Sequence, residues 1–388
     1  MDLKTQFIAD YLRELHTISE LCREYQISRK TAYKWLTRYD SDGAAGLAER
    51  SRRPHHFAQA TANDVVQLLL KARRRHPTWG AKKLLKLLSR DQPKREWPAR
   101  STVCDILSRH DLVQGPRRRR AIGHPGKPAI IITAPNQLWA ADFKGQFKTR
   151  DGHYCYPLTV TDGCSRYLLG CQALRSTAFA EAQPVFRRLF QEYGLPERIR
   201  TDNGVPFASV SLARLSTLSA WFIRLGIRRE LIEPGKPQQN GSHERMHRTL
   251  KAETTRPPAG NRATQQRVFN RFRQEFNQVR PHEALALDTP AAHYQSSPRP
   301  YPERLPPLEY PSHFETRLVS DNGCIGWRSQ RVHVTTVCTK EYVGLEEIDN
   351  GIWNVYYGPV KLGRLIEEKL RIEDAYGLWR RPRIKQNV

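Results

Sequence analysis

PNQLWAADFKGQF (135–147) reads as an apolar strand interrupted at its middle by one acid, Asp142. RIRTDNGVPF (198–207) ends a second strand-like run on Asp202, and PGKPQQNGSHERMHRTLKAE (234–253) sets Glu244 at the start of a basic helix. Each carboxylate interrupts or ends what is otherwise buried framework, where an ion without a counter-charge is costly. A chain this basic places few acids so without a cation, and a divalent metal site is the inference. If the two strands are neighbours, Asp142 and Asp202 converge on one cation, with a third ligand from a helix laid across the sheet. Glu244 fits that helix, which Ser242 or Asn240 can cap, and Glu244, Arg248 and Lys251 share one of its faces at i, i+4 and i+7.

Composition narrows the substrate. The chain has 388 residues, 64 Lys and Arg against 39 Asp and Glu, and a formal net charge of +25. Such a field suits a polyanion, nucleic acid first among them. Residues 1–133 hold 27 basic and 13 acidic residues, so +14 of the excess lies in the first third. That asymmetry marks a binding region ahead of a core built for something else. The seven cysteines are scattered and form no CxxC pair, as expected of reduced, intracellular thiols. With no charged-then-apolar leader and no long apolar run, the protein is expected to be cytoplasmic and, in a bacterium, nucleoid-associated.

The periodicities divide the chain. Residues 1–50 read as a helix-turn-helix domain, with Ser28 capping SRKTAYKWLTRYD and Arg29, Lys30, Tyr33 and Lys34 facing DNA. Residues 61–113 read as a second such domain, winged or plain, with Ser101 capping STVCDILSRH and Arg100, Ser101 and Thr102 at the DNA. The stretch between them reads as an extended linker. Residues 114–133 form a basic linker whose Arg117, Arg118, Arg119 and Arg120 meet phosphate. From 134 to 295 three meandering strands precede alternating helices and strands, SLARLSTLSAWFIRLG among the helices, which gives an α/β core with a mixed five-stranded sheet and flanking helices. Residues 296–310 read as a Pro-rich linker, and 311–388 as a small β-barrel with hairpin turns at Asn322-Gly323 and Asn350-Gly351.

WAADF, TDNGVPF and NGSHERMHRTLK, followed by FNQVRPHEALALDTPAAHY (276–294), closely resemble the catalytic core of bacterial insertion-sequence transposases, which share the DDE core of retroviral integrases. The resemblance is strong over 134–295, moderate over the helix-turn-helix units and architectural only for the terminal barrel, read as SH3-like. It implies a ribonuclease H-like core in which Asp142, Asp202 and Glu244 bind two Mg²⁺ ions, Mn²⁺ substituting, one activating water or a 3′-hydroxyl and the other stabilising the leaving oxygen. The implied function is a transposase that binds terminal inverted repeats and cuts and joins strands. It works as a dimer or tetramer on element and target DNA. The alternative is a catalytically inactive, sequence-specific DNA-binding regulator. With no P-loop present, any ATPase step belongs to an accessory partner.

Two features cut across this reading. Asp202 and Glu244 are separated by 41 residues, longer than the resemblance implies, with ASVSLARLSTLSAW (208–221) as the extra length and Glu233 as the competing acid. His243-Glu244-Arg245-Met246-His247 also satisfies HExxH, the zinc peptidase pattern. Arg245 between the ligands and the basic continuation of the helix argue against a peptidase. Asp162 and Glu181 are assigned structural or supporting roles, and the adjacent His55 and His56, with no CxxC partner, are linker residues rather than zinc ligands.

Overall fold

The computed structural model describes residues 2–49, 61–113, 131–233 and 240–375. They belong to two compact units, Met1–Ala62 and Asn63–Val388. The inter-reader linker, Arg117–Arg120 and the loop ahead of Glu244 lie outside the described residues.

The first unit comprises α1 (Leu3–Leu12), α2 (Ile18–Glu24) and α3 (Arg29–Asp42). Thr17 and Glu20 form a reciprocal capping box at α2, and the Ser28 side chain accepts the Thr31 N–H at the start of α3. Phe7, Ile8, Leu21, Ala32 and Leu36 bury one apolar stripe from each helix in a common core.

The second unit opens with α4 (Asn63–Arg75), α5 (Ala81–Asp91) and α6 (Arg100–Arg109), packed through Leu69, Leu84, Val103 and Trp79 without an accompanying strand among the described residues. Ser101 is not the cap of α6: the N-cap is Ala99, with no side-chain bond, and Ser101 lies inside the first turn. The three helices are fastened to the rest of the unit. His76 Nδ1 lies 2.9 Å from Glu275 Oε1, and the Arg280 guanidinium sits over the Trp79 ring at 5.4 Å.

The sheet that follows contains β1 (Trp139–Phe143), the two-residue β2 (Phe147–Lys148), β3 (Tyr154–Asp162), β4 (Leu168–Leu174), β5 (Arg198–Thr201) and β6 (Arg228–Leu231). Its order is β4-β3-β1-β5-β6, with β2 also paired to β3, so the mixed sheet has six strands when the short β2 is counted. β3 is antiparallel to β1 and β4, while β1, β5 and β6 run parallel. On one face Trp139, Ala141, Leu158 and Val160 meet α7 (Phe179–Tyr193) and α8 (Thr217–Arg224). The other face receives α9 (Gly241–Thr254) and α10 (Arg262–Gln278) through Met246, Leu250, Phe269, Phe272 and Phe276. The Pro-rich segment is strapped to this core. Ser297 N donates to Tyr193 O at 2.8 Å and Leu195 N to Arg299 O at 2.7 Å. At Gly194, φ +76°, a Cβ would lie 2.6 Å from Ser297 O, which restricts that turn to glycine.

SLARLSTLSAWFIRLG is only half helical. Ala213 and Arg214 take positive φ, and a Ser216–Ser219 capping box starts α8 at Thr217. Leu212, Ala213 and Leu215 are instead buried with the C-terminal strands. Leu212, Ala213 and Leu215 thus plug the core against those strands.

Those strands are β7 (Glu315–Leu318), β8 (Cys324–Trp327), β9 (Gln330–His333), β10 (Tyr342–Asp349), β11 (Ile352–Tyr357), β12 (Val360–Ile366) and β13 (Arg371–Asp374). They do not make the expected closed barrel. A five-stranded sheet, β13-β12-β11-β10-β7, and a separate β8-β9 hairpin share one core, and no pairing among the described residues joins the β7 and β13 edges. Asn350-Gly351 makes the β10–β11 hairpin, whereas Asn322-Gly323 turns the chain from one sheet into the other. The β8–β9 turn is Arg328-Ser329, both at positive φ, a hairpin composed without the usual Asn-Gly.

Candidate active site

Strand alternation sends Trp139 and Ala141 toward α7 and α8 and Asp142 toward α9. Across the antiparallel ladder Asp142 pairs with Thr159. On its other side β1 pairs in parallel with β5 up to Ala141–Thr201, so Asp142 and Asp202 follow at the carboxyl ends of adjacent strands. The buried stripe of α9 is His243, Met246, His247 and Leu250, while its first turn presents Glu244, exposed. Asn240 occupies the N-cap without a side-chain bond, and Ser242 lies inside the helix, so neither caps it as expected.

The electrostatics are those of a site short of positive charge. Burial, then the Asp202 charge and, less, that of Glu244 push the Asp142 carboxyl up to about 7, against the Phe143 N–H and Lys144. Burial raises Asp202 as well, although its Oδ1 accepts the Gly204 N–H at 3.1 Å. Oxygen donors whose ionisation awaits a counter-charge suit a hard divalent cation. Glu244 reaches Asp142 electrostatically, but among the described residues the group whose ligand atoms lie within 4.8 Å of one another is Asp142, His243 and His247.

Those imidazoles are not free donors. Thr159 Oγ1 lies 2.8 Å from His243 Nε2 and 2.7 Å from His247 Nε2, and Thr161 Oγ1 lies 2.8 Å from His243 Nδ1. Both rings are buried, which holds His243 down to about 3 and His247 to about 2. With both nitrogens of His243 engaged by threonines, the HExxH pair is not arranged as a zinc site.

Arg248 and Lys251 are exposed on α9 beyond Glu244. Arg29, Lys30, Tyr33 and Lys34 are exposed on α3, Arg29 donating to Ser19 Oγ at 2.9 Å. Arg100 and Ser101 are exposed on α6 and Thr102 is half-buried. Glu233 is exposed past β6. Asp162 is a staple: it accepts from Asn136 N, Ser165 N and Ser165 Oγ, each at 2.7 Å. Glu181 accepts the Arg175 N–H at 3.2 Å ahead of α7.

Sequence reasoning missed a basic cleft of about 360 Å³ lined by Lys83, Arg166, Arg245 and Arg280 with His282 and Glu283. Burial, then Arg280, lowers Lys83 to about 8. Its cations come from α5, the β3–β4 turn, α9 and the segment after α10, so no local motif announces it.

The chain matches the integrase core domain family over residues 132–237 and again over 225–290, a helix-turn-helix domain over 4–55 and a homeodomain-like domain over 31–107. It is 24% identical over 284 residues to the insertion element IS407 31.7 kDa protein of Burkholderia multivorans, covering 72% of this chain and 92% of that one. It is 26% identical to the IS476 39.2 kDa protein of Xanthomonas euvesicatoria, over 64% of this chain and 69% of the relative. A 31% identical stretch of the baboon endogenous virus Gag-Pol polyprotein covers 31% of this chain and 7% of that polyprotein. Among solved structures, the HTLV-2 integrase catalytic core in complex with magnesium superposes with a TM-score of 0.32 at 17% identity, over 42% of this chain and 98% of that one. Among the described residues no helix is long and apolar enough to cross a membrane. With helix-turn-helix units ahead of an integrase core, the chain belongs to the insertion-sequence transposases of the DDE polynucleotidyl transferase type.

Proposed function

We propose that this transposase binds the terminal inverted repeats of its element through residues 1–50 and 61–113, and cuts and joins strands at a divalent-cation site made by Asp142, Asp202 and Glu244. The observation that carries this reading is the pair of half-buried carboxyls at the carboxyl ends of β1 and β5, both raised by desolvation, with an acid-bearing helix over the same face. When bound, Mg²⁺ or Mn²⁺, as two ions, would supply charge neutralisation at the scissile phosphate and activation of the attacking oxygen.

The protein's own part is positioning. Asp142 and Asp202 are fixed by the sheet, and α9 brings Glu244 with Arg248 and Lys251 on its face to hold the neighbouring phosphates. The exposed residues of α3 and α6 read the ends, and Arg117–Arg120 in the 114–133 linker follow the backbone. The C-terminal strands β7 to β13 and a dimer or tetramer on DNA hold two ends for joining.

A supercoiled plasmid carrying the gene with its native flanking DNA tests this. Mg²⁺-dependent nicking at the element ends, lost in Asp202→Asn, is the expected result. End binding without any nicking by the unmodified protein would identify a regulator instead.

A further inference from the structure

The two histidines of the HExxH stretch have a use that the carboxylate triad does not provide. Thr159 pairs with Asp142 across the β1–β3 ladder, so the two side chains share a face, and α9 lowers His243 and His247 onto the Thr159 hydroxyl from consecutive turns. That hydroxyl has one proton and three neighbours: His247 Nε2 at 2.7 Å, His243 Nε2 at 2.8 Å and the Asp142 carbonyl at 3.1 Å. His243 and His247 are 1% and 3% exposed, so each is a neutral ring with a single N–H.

The proton count then selects one arrangement. If Thr159 donates to the Asp142 carbonyl or to His243, His247 must donate through Nε2, and its bare Nδ1 lone pair faces the Asp142 carboxylate oxygen 3.7 Å away. Two acceptors would oppose each other in a buried place whenever Asp142 is ionised, as a metal ligand must be. If Thr159 donates to His247 Nε2, the Asp142 carbonyl forgoes the Thr159 proton and every histidine–threonine link is satisfied in one direction. Thr161 donates to His243 Nδ1, His243 Nε2–H to Thr159, Thr159 to His247 Nε2, and the His247 Nδ1–H points at Asp142 Oδ2.

We propose that His247 is a positioning residue for Asp142, its Nδ1–H tautomer set by the Thr161–His243–Thr159 chain, so that the carboxylate is oriented for its cation. This rests on the assignment of Asp142 as a metal ligand. Groups that orient ligands in this way commonly change metal affinity by roughly 10- to 100-fold when removed.

The test is the Mg²⁺ concentration for half-maximal nicking of the plasmid with native flanks. His247→Ala is expected to raise it by roughly 10- to 100-fold with metal-free DNA binding unchanged. His247→Asn, whose amide takes the place of Nδ1, should recover most of the loss, and His247→Gln, whose amide takes the place of Nε2, should not. An unchanged Mg²⁺ requirement in His247→Ala, beside an inactive Asp142→Asn, overturns the relay and spares the site. Full activity in Asp142→Asn overturns both. Should His247→Ala fail to fold, ¹⁵N-histidine NMR of the unmodified protein loaded with Mg²⁺ decides: an Nδ1–H tautomer at His247 supports the relay, and an Nε2–H tautomer refutes it.

Discussion

Asp142 and Asp202 leave the carboxyl ends of neighbouring parallel strands one residue beyond the Ala141–Thr201 pair, and the charge of the second helps keep the first protonated up to about 7. Two carboxylates held this way repel each other until a cation lies between them.

Replacing either acid should separate chemistry from stability. Asp142→Asn, Asp202→Asn or Glu244→Gln should each lower strand cleavage by roughly 10²- to 10³-fold or more, with end binding retained. The metal-free fold should respond in the opposite sense at Asp142. Folded, the carboxyl keeps its proton to about 7; its ordinary value is 3.8, so the native state binds the extra proton in between. Stability is therefore lost as pH rises through that window. Thermal melts without metal should show Asp142→Asn above the unmodified protein at about pH 8 and level with it near pH 4.

The buried imidazoles carry the reverse sign. Unfolded histidine takes a proton near 6.5, whereas His243 and His247 resist it to about 3 and about 2. Their contribution is present above 6.5 and lost as pH falls toward 3. In an Asp142→Asn background, which removes the opposing carboxyl, the urea midpoint should drop from pH 7 to pH 5. His243→Asn with His247→Asn should flatten that drop.

Leu215, fully buried between α8 and the C-terminal strands, tests the docking plug. Leu215→Ala should cost about 2–5 kcal/mol in urea unfolding, the range for a truncated core leucine. A loss under about 0.5 kcal/mol, typical of a surface site, would show that the plug is not part of the core.

Much of the core was legible because it is local. The apolar, strand-like runs WAADF and YCYPLTVTD, the Asn350-Gly351 hairpin and the Ser28 cap each state their structure within a few residues. What was not legible depends on partners far along the chain. Ser211–Ser216 reads as helix until the strands that bury Leu212 and Leu215 are known, and a barrel reads like any run of short strands until its edges are paired or left open. The histidines were visible as a motif, but their role depended on Thr159 and Thr161, more than eighty residues away on β3.

The basic cleft should engage phosphate. Arg166→Gln with Arg245→Gln should flatten the dependence of log affinity on log salt for a nonspecific duplex, by about 0.9 for each phosphate no longer neutralised. Arg267→Gln with Arg271→Gln, of equal charge on the exposed face of α10, is the control and should change the slope less. Equal changes in the two pairs would reduce the cleft to general surface charge.

Anomalous scattering from crystals grown with Mn²⁺ locates the ion itself. The ion is expected between Asp142 and Asp202, with Glu244 drawn toward it. An ion seated on His243 and His247, away from Asp202, would contradict the carboxylate site.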